Sequence, residues 1–397
     1  MYGYHVEHAA YAINALNNWH PDSAKLSIKR IALENVKHDD DEASAIPTLS
    51  VEFTKKEDES LMKLTYVDNL RAHGTEQWCQ WSIKVDSKDC PKRIYNTVNT
   101  KSSSDDDFAP RAIVGTCSDI KKGAHTMTIA LARSSSADCY TGWFPDDKGG
   151  TFFMEAQELN DRDDSQIKTE MRELAGDDTD TGYVTGRKLT FTKKTEDSQI
   201  RITWATNLRV RPKDPNPELR GGECHWEIRI DGQSCAKPTK IGAMLSTQGD
   251  DDDRIPVAVV GWCQGIKAGV HEIQVQVTVK DGDNSDCYTG WKCNDYMEVW
   301  EPTPDEQDMI SYRQKVDTDT GKDDRPKLMG SDLIFTKKSP DSSVRILYYD
   351  NLRVTGILPV RLFYSKIVIF RFFLLLNKVE CQSYINITIL LIDRYRY

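Results

Sequence analysis

One unit of sequence occurs three times in this chain of 397 residues. The tetrapeptide Phe-Thr-Lys-Lys begins at Phe53, Phe191 and Phe335, so that successive copies lie 138 and 144 residues apart. In each copy the tetrapeptide is followed by a segment that ends in Asn-Leu-Arg. Copies of a unit this long indicate tandem domains that share one fold.

Apolar and polar residues alternate within the unit. In the second copy Ile200, Ile202 and Trp204 are separated by single polar residues, and residues 224–230 and 273–279 show the same alternation. A period of two predicts half-buried β-strands, and no segment of the unit has a convincing helical period. Short strands separated by Gly, Pro and Asp turns predict an all-β fold of antiparallel sandwich or barrel type.

Eight of the ten cysteines repeat their spacing in the first two copies. The steps are 11, 27 and 22 residues in the first copy and 11, 28 and 24 in the second. Widely spaced cysteines of this kind predict a disulfide framework in each domain. The alternative is a cytosolic protein with eight buried thiols. The framework cysteines are Cys79, Cys90, Cys117, Cys139, Cys224, Cys235, Cys263 and Cys287.

The pairing of these cysteines is suggested by an Asp-Gly hairpin signal that precedes Cys235. A bridge across that hairpin is the simplest connectivity. The bridges it predicts are Cys79–Cys90, Cys117–Cys139, Cys224–Cys235 and Cys263–Cys287. Four cysteines allow three pairings, so the other two stay open. Cys293 has no counterpart in the first copy, and it can bridge two chains, pair with Cys381 or remain free.

The cysteines indicate the compartment of the protein, and its net charge limits the classes of partner that it can bind. Disulfides require an oxidising compartment, yet the N-terminus lacks a basic region followed by an apolar core. We therefore expect a secreted, extracellular protein whose signal peptide is missing from this chain. The net charge of −10, from 52 basic and 62 acidic residues, disfavours binding to nucleic acid or to anionic lipid.

The limits of the copies give the expected domain boundaries. Basic residues interrupt the last segment too often for a membrane span of about 20 apolar residues. We expect a mistranslated or read-through terminus there, not an anchor, and hence an incomplete third domain. The expected parts are an N-terminal extension with an incomplete start (1–26), a first domain (27–159), a second domain (166–301), a truncated third copy (310–354) and an aberrant hydrophobic tail (355–397).

Several blocks of the second copy carry a family resemblance. They are Phe191-Thr-Lys-Lys, Asn207-Leu-Arg, Cys224-His-Trp226, Asp231-Gly-Gln-Ser-Cys235-Ala-Lys-Pro238, Gly261-Trp-Cys263-Gln-Gly265, Thr289-Gly-Trp291 and Met297-Glu-Val-Trp-Glu301. Together they resemble the C-terminal domain of collagen triple helix repeat-containing protein 1 and its invertebrate relatives. The likeness covers most of the first two copies and the opening of the third.

This resemblance implies a jelly-roll sandwich similar to complement-type and tumour-necrosis-factor-like heads. It also implies a secreted, matrix-associated protein that binds an extracellular protein or matrix ligand, with links to Wnt-type receptor complexes. The chain departs from the family because it has no Gly-x-y run and carries its heads in tandem. Three copies can assemble as a trimer of chains or as an intramolecular pseudo-trimer.

Acidic runs between the second and third cysteines are the candidate metal ligands. Asp250, Asp251, Asp252 and Asp253 can offer oxygens to Ca²⁺, and solvated loop charge is the alternative. The segment Asp281–Asp286 lacks the Gly and Glu positions of an EF-hand, so we reject that motif. We expect no other cofactor.

Aromatic and histidine residues recur at matched places. Trp143 and Trp291 follow a Thr-Gly turn and are the candidate ligand residues, in particular for a lectin-like module that stacks sugars. Trp226 alternates with buried isoleucines, so we expect core packing for it and for its counterpart. His125 and His271 are predicted to be structural.

Catalytic motifs are missing from the sequence. It contains no nucleophile elbow, Walker loop, His-Glu-x-x-His or dinucleotide fingerprint. We therefore predict that the chain is not an enzyme. Tandem heads raise the effective concentration at a repeated ligand, so multivalent recognition is the predicted mechanism.

Overall fold

The structure is a computed structural model, and its described part is almost entirely β-strand. It describes residues 14–15, 25–36, 38–39, 45–100, 106–142, 150–159, 166–213, 222–247, 253–279, 285–307, 310, 344–345, 370–371 and 390–391. The first-copy strands and those before them are β1 (Asn14–Ala15), β2 (Lys25–Val36), β3 (His38–Asp39), β4 (Ala45–Lys55), β5 (Leu61–His73), β6 (Trp78–Val85), β7 (Lys88–Asn99), β8 (Asp106–Cys117), β9 (Gly123–Arg133), β10 (Asp138–Thr141) and β11 (Gly150–Leu159).

The second copy supplies the next ten strands, and a short helix and three short strands follow. The second-copy strands are β12 (Ile167–Arg172), β13 (Gly182–Lys193), β14 (Ile200–Pro212), β15 (Gly222–Ile230), β16 (Gln233–Ser234), β17 (Ile241–Thr247), β18 (Asp253–Cys263), β19 (Gly269–Val279), β20 (Ser285–Thr289) and β21 (Asp295–Trp300). The remaining elements are α1 (Pro304–Gln307), β22 (Val344–Arg345), β23 (Phe370–Arg371) and β24 (Leu390–Leu391).

Each copy folds as two antiparallel sheets packed face to face. In the second domain the sheets run β12-β21-β14-β18 and β13-β19-β15-β17, with β20 pairing β14 and β16 pairing β15. The first domain repeats this arrangement as β2-β11-β5-β8 and β4-β9-β6-β7. We number the strands of each domain from 1 to 8 along the chain, starting at β2 and β12 and omitting the two-residue strands β3 and β16. The pairs β10/β11 and β20/β21 each count as one interrupted eighth strand. The two sheets of both domains then have the strand orders 1-8-3-6 and 2-7-4-5. This is the jelly-roll order of two interlocked Greek keys, and it confirms the predicted all-β sandwich class.

Alternation along the strands places a tryptophan in the core of each domain. Strand β15 is buried at every second residue, and Trp226 is 1% exposed. Its indole N–H donates to the Thr289 hydroxyl of the opposite sheet at 2.9 Å. Trp81 repeats the contact with Thr141 at 2.8 Å. A buried indole needs such an acceptor, so the prediction of core packing for these residues is confirmed.

The repeated Phe-Thr-Lys-Lys tetrapeptide closes one end of each sandwich. The Lys55 ammonium donates to three backbone carbonyl oxygens in the turns at that end, among them Ile120 O at 2.7 Å. The Glu158 carboxylate accepts from two backbone N–H groups directly after the tetrapeptide's first lysine and from Ser60 Oγ. Lys193 and Glu301 fill the same places in the second domain. The most visible repeat of the sequence is therefore a folding motif.

The disulfide pairing predicted from the hairpin signal is wrong. Strand β16 pairs with Arg229 and Ile230, at the end of β15 remote from Cys224, and Cys235 directly follows β16. At about 3.3 Å per residue, the five residues from Cys224 to Arg229 span about 16 Å, which is more than a disulfide can bridge. The observed bridges are Cys79–Cys139, Cys90–Cys117, Cys224–Cys287 and Cys235–Cys263, with Cα–Cα distances of 5.3 to 6.0 Å.

All four bridges join one sheet of a sandwich to the other. Cys224 in β15 reaches Cys287 in β20, and Cys235 after β16 reaches Cys263 at the end of β18. The first domain has the same two links. The bridges therefore hold together the two layers that enclose the core.

Several expectations fall outside the described residues. They concern the body of the third copy, the tail and the N-terminal extension, so their boundaries stay predictions. Within the described part of the chain, no helix is both long and apolar enough to cross a membrane.

Candidate functional site

The residues proposed from the sequence for ligand or metal binding are only partly described. Trp143, Asp250, Asp251 and Asp252 lie outside the described residues. Asp253 begins β18, but its side chain is not among the described ones. Calcium binding by this run therefore stays a prediction. Among the residues that the structure describes, no cluster of three or more His, Cys, Asp or Glu could hold a metal ion.

Trp291 stands in the turn that leads from β20 to β21 and is half-buried. The Lys292 ammonium lies 4.3 Å from the centre of its ring, a cation–π contact that covers the indole on that side. The Asn207 side chain donates to the Trp291 carbonyl oxygen at 2.9 Å. Lys292 therefore occupies one of the two ring faces on which a sugar could stack.

The repeated histidines each form a fixed link between a hairpin turn and a neighbouring strand. His271 places Nδ1 2.6 Å from Asp231 Oδ2 and Nε2 2.9 Å from the Lys267 carbonyl oxygen. His125 makes the same two contacts with Asp86 and Lys121, both at 2.7 Å. In both rings, therefore, each nitrogen faces an oxygen atom.

The aspartates of these links are held in their charged form. Burial works to raise the pKa of Asp231, but hydrogen bonds from the Glu272 N–H and from His271 outweigh it and lower the pKa. Asp86 is lowered in the same way by His125 and by the Thr126 N–H. The arrangement is a structural clamp present in both domains, in agreement with the prediction for His125 and His271.

Sequence reasoning missed a pair of stacked side chains that recurs on the outer surface. The Arg71 guanidinium lies 4.5 Å from the centre of the Tyr140 ring, and Arg209 lies 4.5 Å from Tyr288. All four side chains are partly exposed. The signal was present, because Asn-Leu-Arg and Asp-Cys-Tyr-Thr occur in both copies. Only the pairing of β5 with β10 and of β14 with β20 shows that the two motifs meet.

The two domains share a buried charge cluster. The Lys63 ammonium of the first domain lies 2.5 Å from Glu298 Oε2 of the second, with side-chain exposures of 5% and 2%. Arg201 donates to Glu298 Oε1 at 2.8 Å, and the Tyr296 hydroxyl donates to Oε2 at 2.7 Å. Burial would raise the pKa of Glu298, but the charges of Lys63 and Arg201 outweigh it and hold the pKa well below its usual range.

Backbone and amide contacts surround this cluster. Asn294 accepts from the Tyr95 N–H at 2.8 Å and donates to the Val114 carbonyl oxygen at 2.9 Å. Asn207 donates to the Thr97 carbonyl oxygen at 3.2 Å. Three buried residues of the second domain, Met171, Ala205 and Tyr296, belong to the core of the first, and the half-buried Ala258 packs against it. The interface is therefore continuous with a hydrophobic core.

Cys293 is a buried free thiol, which answers one question that the sequence left open. Its sulfur accepts from the Asn207 N–H at 3.3 Å. Burial raises the pKa of this thiol to about 12, and the nearby Asp295 adds to the effect. A thiol held neutral in this way is a poor nucleophile, so it does not serve as a reactive site.

Comparison with family models gives a match in two places. The model described as "CTHRC1, C-terminal domain" matches residues 23–145 and 167–297, which together exceed half of the chain. The chain belongs to this family. CTHRC1 C-terminal domains thus occur here as two tandem copies, as the resemblance predicted. Family membership and the disulfides suggest an extracellular, matrix-associated protein, and the CTHRC1 C-terminal family is not an enzyme family.

Comparisons with whole proteins add little to the family match. No curated protein matches the chain. Matches among solved structures include PNGF-II, at 8% identity over 72% of this chain and 66% of that one, with a TM-score of 0.26. A peptide-N(4)-(N-acetyl-beta-D-glucosaminyl) asparagine amidase matches at 10% identity over 70% of this chain and 97% of that one, with a TM-score of 0.29.

A third match is the tandem CBM22-1-CBM22-2 domain of Paenibacillus barcinonensis Xyn10C. It has 7% identity over 75% of this chain and 98% of that one, with a TM-score of 0.18. Likenesses as distant as these carry no conclusion about activity or ligand.

Proposed function

We propose that this chain is a non-enzymatic, secreted matrix protein that binds an extracellular protein or matrix ligand through several heads at once. The observation that carries the proposal is the recurrence of one partly exposed Arg–Tyr stack, as Arg71–Tyr140 and Arg209–Tyr288. A ligand that contains the same binding element more than once can therefore contact two equivalent Arg–Tyr stacks. Arg and Tyr are residues that dominate binding energy at protein interfaces.

The buried junction between the domains supports this mechanism. The Lys63–Glu298 contact, with side chains 5% and 2% exposed, joins the two heads directly. When two sites are held at a set spacing, the second contact becomes intramolecular, and avidity can exceed the affinity of one site by about 10²- to 10⁴-fold. We include in this proposal a role at Wnt-type receptor complexes, to which the chain would bind through both heads.

Binding of the secreted full chain to decellularised fibroblast matrix tests the proposal. We expect Arg71→Ala and Arg209→Ala each to weaken binding by more than tenfold, because each leaves one functional head. The double variant should bind no better than background. Arg229→Ala, on the other sheet of the second domain, is the matched control and should bind as the unaltered chain does. Equal binding by all four proteins would refute the proposal.

The alternative function is a carbohydrate-binding module that uses Trp291. The half-buried ring favours it, whereas the Lys292 contact on that ring opposes it. A glycan array distinguishes the two functions. Specific sugar binding that is lost on Trp291→Ala and retained on Arg209→Ala would favour the lectin function. The absence of sugar binding by the unaltered chain would exclude it.

A further inference from the structure

The segment between β12 and β13 places a tyrosine directly after a run of carboxylates. Asp177, Asp178 and Asp180 precede Tyr183 by six, five and three residues, and residues 174–186 contain no lysine or arginine. Of the three aspartates, Asp180 is contacted by the Lys213 ammonium at 2.5 Å, whereas Asp178 is exposed. An excess of negative charge therefore lies on the N-terminal side of this tyrosine.

Tyr183 has the most accessible phenol among the described tyrosines. It is 46% exposed, and it is the one exposed tyrosine in the part of the chain that the structure describes. No hydrogen-bond partner of its hydroxyl is found among the described residues. The other described tyrosines donate to buried carboxylates (Tyr66 and Tyr296) or lie under arginine guanidinium groups (Tyr95, Tyr140 and Tyr288). Tyr183 is therefore the phenol that another protein can reach.

The surroundings of Tyr183 in the sheet leave its hydroxyl open. Strand β13 lies at an edge of its sheet, and among the described strands it pairs only with β19. The pairing is irregular between Tyr183 and Lys188. A β-carbon at Gly232 would stand 3.3 Å from the Tyr183 hydroxyl, and the glycine leaves that space empty. The hydroxyl is therefore crowded neither by a second neighbouring strand nor by a side chain at Gly232.

We propose that Tyr183 accepts a sulfonate group during secretion and leaves the cell as a tyrosine sulfate ester. The phenolic oxygen attacks the sulfur of a nucleotide phosphosulfate, and the bond from that sulfur to the phosphate oxygen breaks. The nucleotide phosphate leaves, the phenol proton passes to a base of the transferase, and no oxidation state changes. Sulfonation takes place in the secretory pathway, so it depends on the secretion that the proposed function includes.

The carboxylates before Tyr183 supply the recognition that this transfer needs. An enzyme that binds an anionic phosphosulfate carries positive charge at its active site. An acidic acceptor segment is attracted to such a site, because complementary charge steers the encounter and disfavours other acceptors. The charge of Asp177 and Asp178 and the open hydroxyl of Tyr183 thus occur together in one segment.

Of the two described domains, only the second has this tyrosine. Tyr183 stands eight residues before Phe191, and the residue eight positions before Phe53 is Ala45. The two domains have the same fold at this position, since Tyr183 and Ala45 both lie in the second strand of their domain. Sulfonation therefore makes the two heads chemically different.

A sulfate ester at Tyr183 gives the second head a contact for a basic partner. It adds negative charge and oxygen acceptors, as a phosphate does, and such groups bind arginine clusters. Strand β13 belongs to the sheet opposite the Arg209–Tyr288 stack. The ester therefore enlarges the binding surface of the second domain without altering the stack.

Peptide mass spectrometry of the full chain, expressed with a signal peptide in mammalian cells, tests the proposal. Trypsin releases residues 173–187 as one peptide that contains a single tyrosine. We expect this peptide to carry one sulfonate group that alkaline phosphatase does not remove and that chlorate, which blocks phosphosulfate synthesis, abolishes. Tyr183→Phe should lose the group, whereas Tyr95→Phe should keep it.

The acidic context is tested by one matched pair of variants. Asp178→Asn should lower the modified fraction of the peptide several-fold. Asp119→Asn, the same change at an exposed aspartate of the first domain, should leave it unchanged. An equal fraction in both variants would show that the carboxylates before Tyr183 do not direct the transfer, and it would overturn this part of the proposal.

Other outcomes overturn the whole proposal. A secreted chain whose peptide is unmodified would refute sulfonation and leave the proposed function intact, whereas a chain that is retained in the cell and unmodified would contradict both. A group that alkaline phosphatase removes would be a phosphate. If Tyr183→Phe is not secreted, fragment ions of the unaltered peptide decide, since a group on a threonine would refute the assignment.

Discussion

The Lys63 ammonium of the first domain lies 2.5 Å from the Glu298 carboxylate of the second, and both side chains are nearly inaccessible to water. Arg201 of the second domain shares that carboxylate. A buried carboxylate needs opposite charge close by, so the two domains depend on each other for the neutralisation of this group. The tandem heads are therefore one packed unit in this region.

Replacement of Lys63 by alanine should uncouple the domains. The change leaves Glu298 buried with one of its two cations, and breaking a buried pair costs about 3–5 kcal/mol. We expect a value near the lower end, because Arg201 remains. Urea unfolding of the secreted chain measures it. Lys188→Ala is the control, since Lys188 pairs with Glu272 at the surface and should change stability by less than about 1 kcal/mol.

Asp68 should make the first domain less stable as the pH rises towards neutrality. Burial raises the pKa of this carboxyl to about 7, against hydrogen bonds from Tyr66 and the Asn69 N–H that lower it. Between about pH 4 and pH 7 the folded state therefore holds a proton that the unfolded state has lost. A difference of about three pKa units corresponds to at most about 4 kcal/mol.

Asp68→Asn removes this dependence. Urea midpoints measured from pH 4.5 to 7.5 should fall with rising pH in the unaltered chain by more than in the variant. The variant should be the more stable protein at pH 7.5, because it has no charge to bury. Parallel pH profiles for the two proteins would contradict the assignment.

Glu301 should be needed for the closed end of the second sandwich. Its carboxylate accepts from the backbone N–H groups of Lys194 and Thr195 and from the Ser198 hydroxyl. Glu301→Ala leaves these donors unpaired, which costs about 2–4 kcal/mol. Thermal unfolding should show the loss. Glu272→Ala, a surface change on β19, is the control, and an equal loss in both variants would rule out this role.

The sequence predicted those parts of the structure that depend on local pattern. Alternation around Trp226 predicted a strand and its buried face, because both follow from a period of two. The partner of Cys224 could not be predicted in this way, since it depends on which strand of the opposite sheet faces that position. The Arg209–Tyr288 stack likewise required the register of β14 with β20. The Lys63–Glu298 contact joins residues 235 apart, and no local pattern encodes it.

Disulfide mapping of the secreted chain tests the central claim most directly, which is that two disulfide-stapled jelly rolls form an extracellular binding head. Non-reducing peptide mass spectrometry should recover Cys79–Cys139, Cys90–Cys117, Cys224–Cys287 and Cys235–Cys263, with Cys293 as a thiol that reacts only after unfolding. Free thiols at these eight positions in the folded protein would contradict the compartment assigned to it, and the alternative bridges Cys79–Cys90, Cys117–Cys139, Cys224–Cys235 and Cys263–Cys287 would contradict the fold.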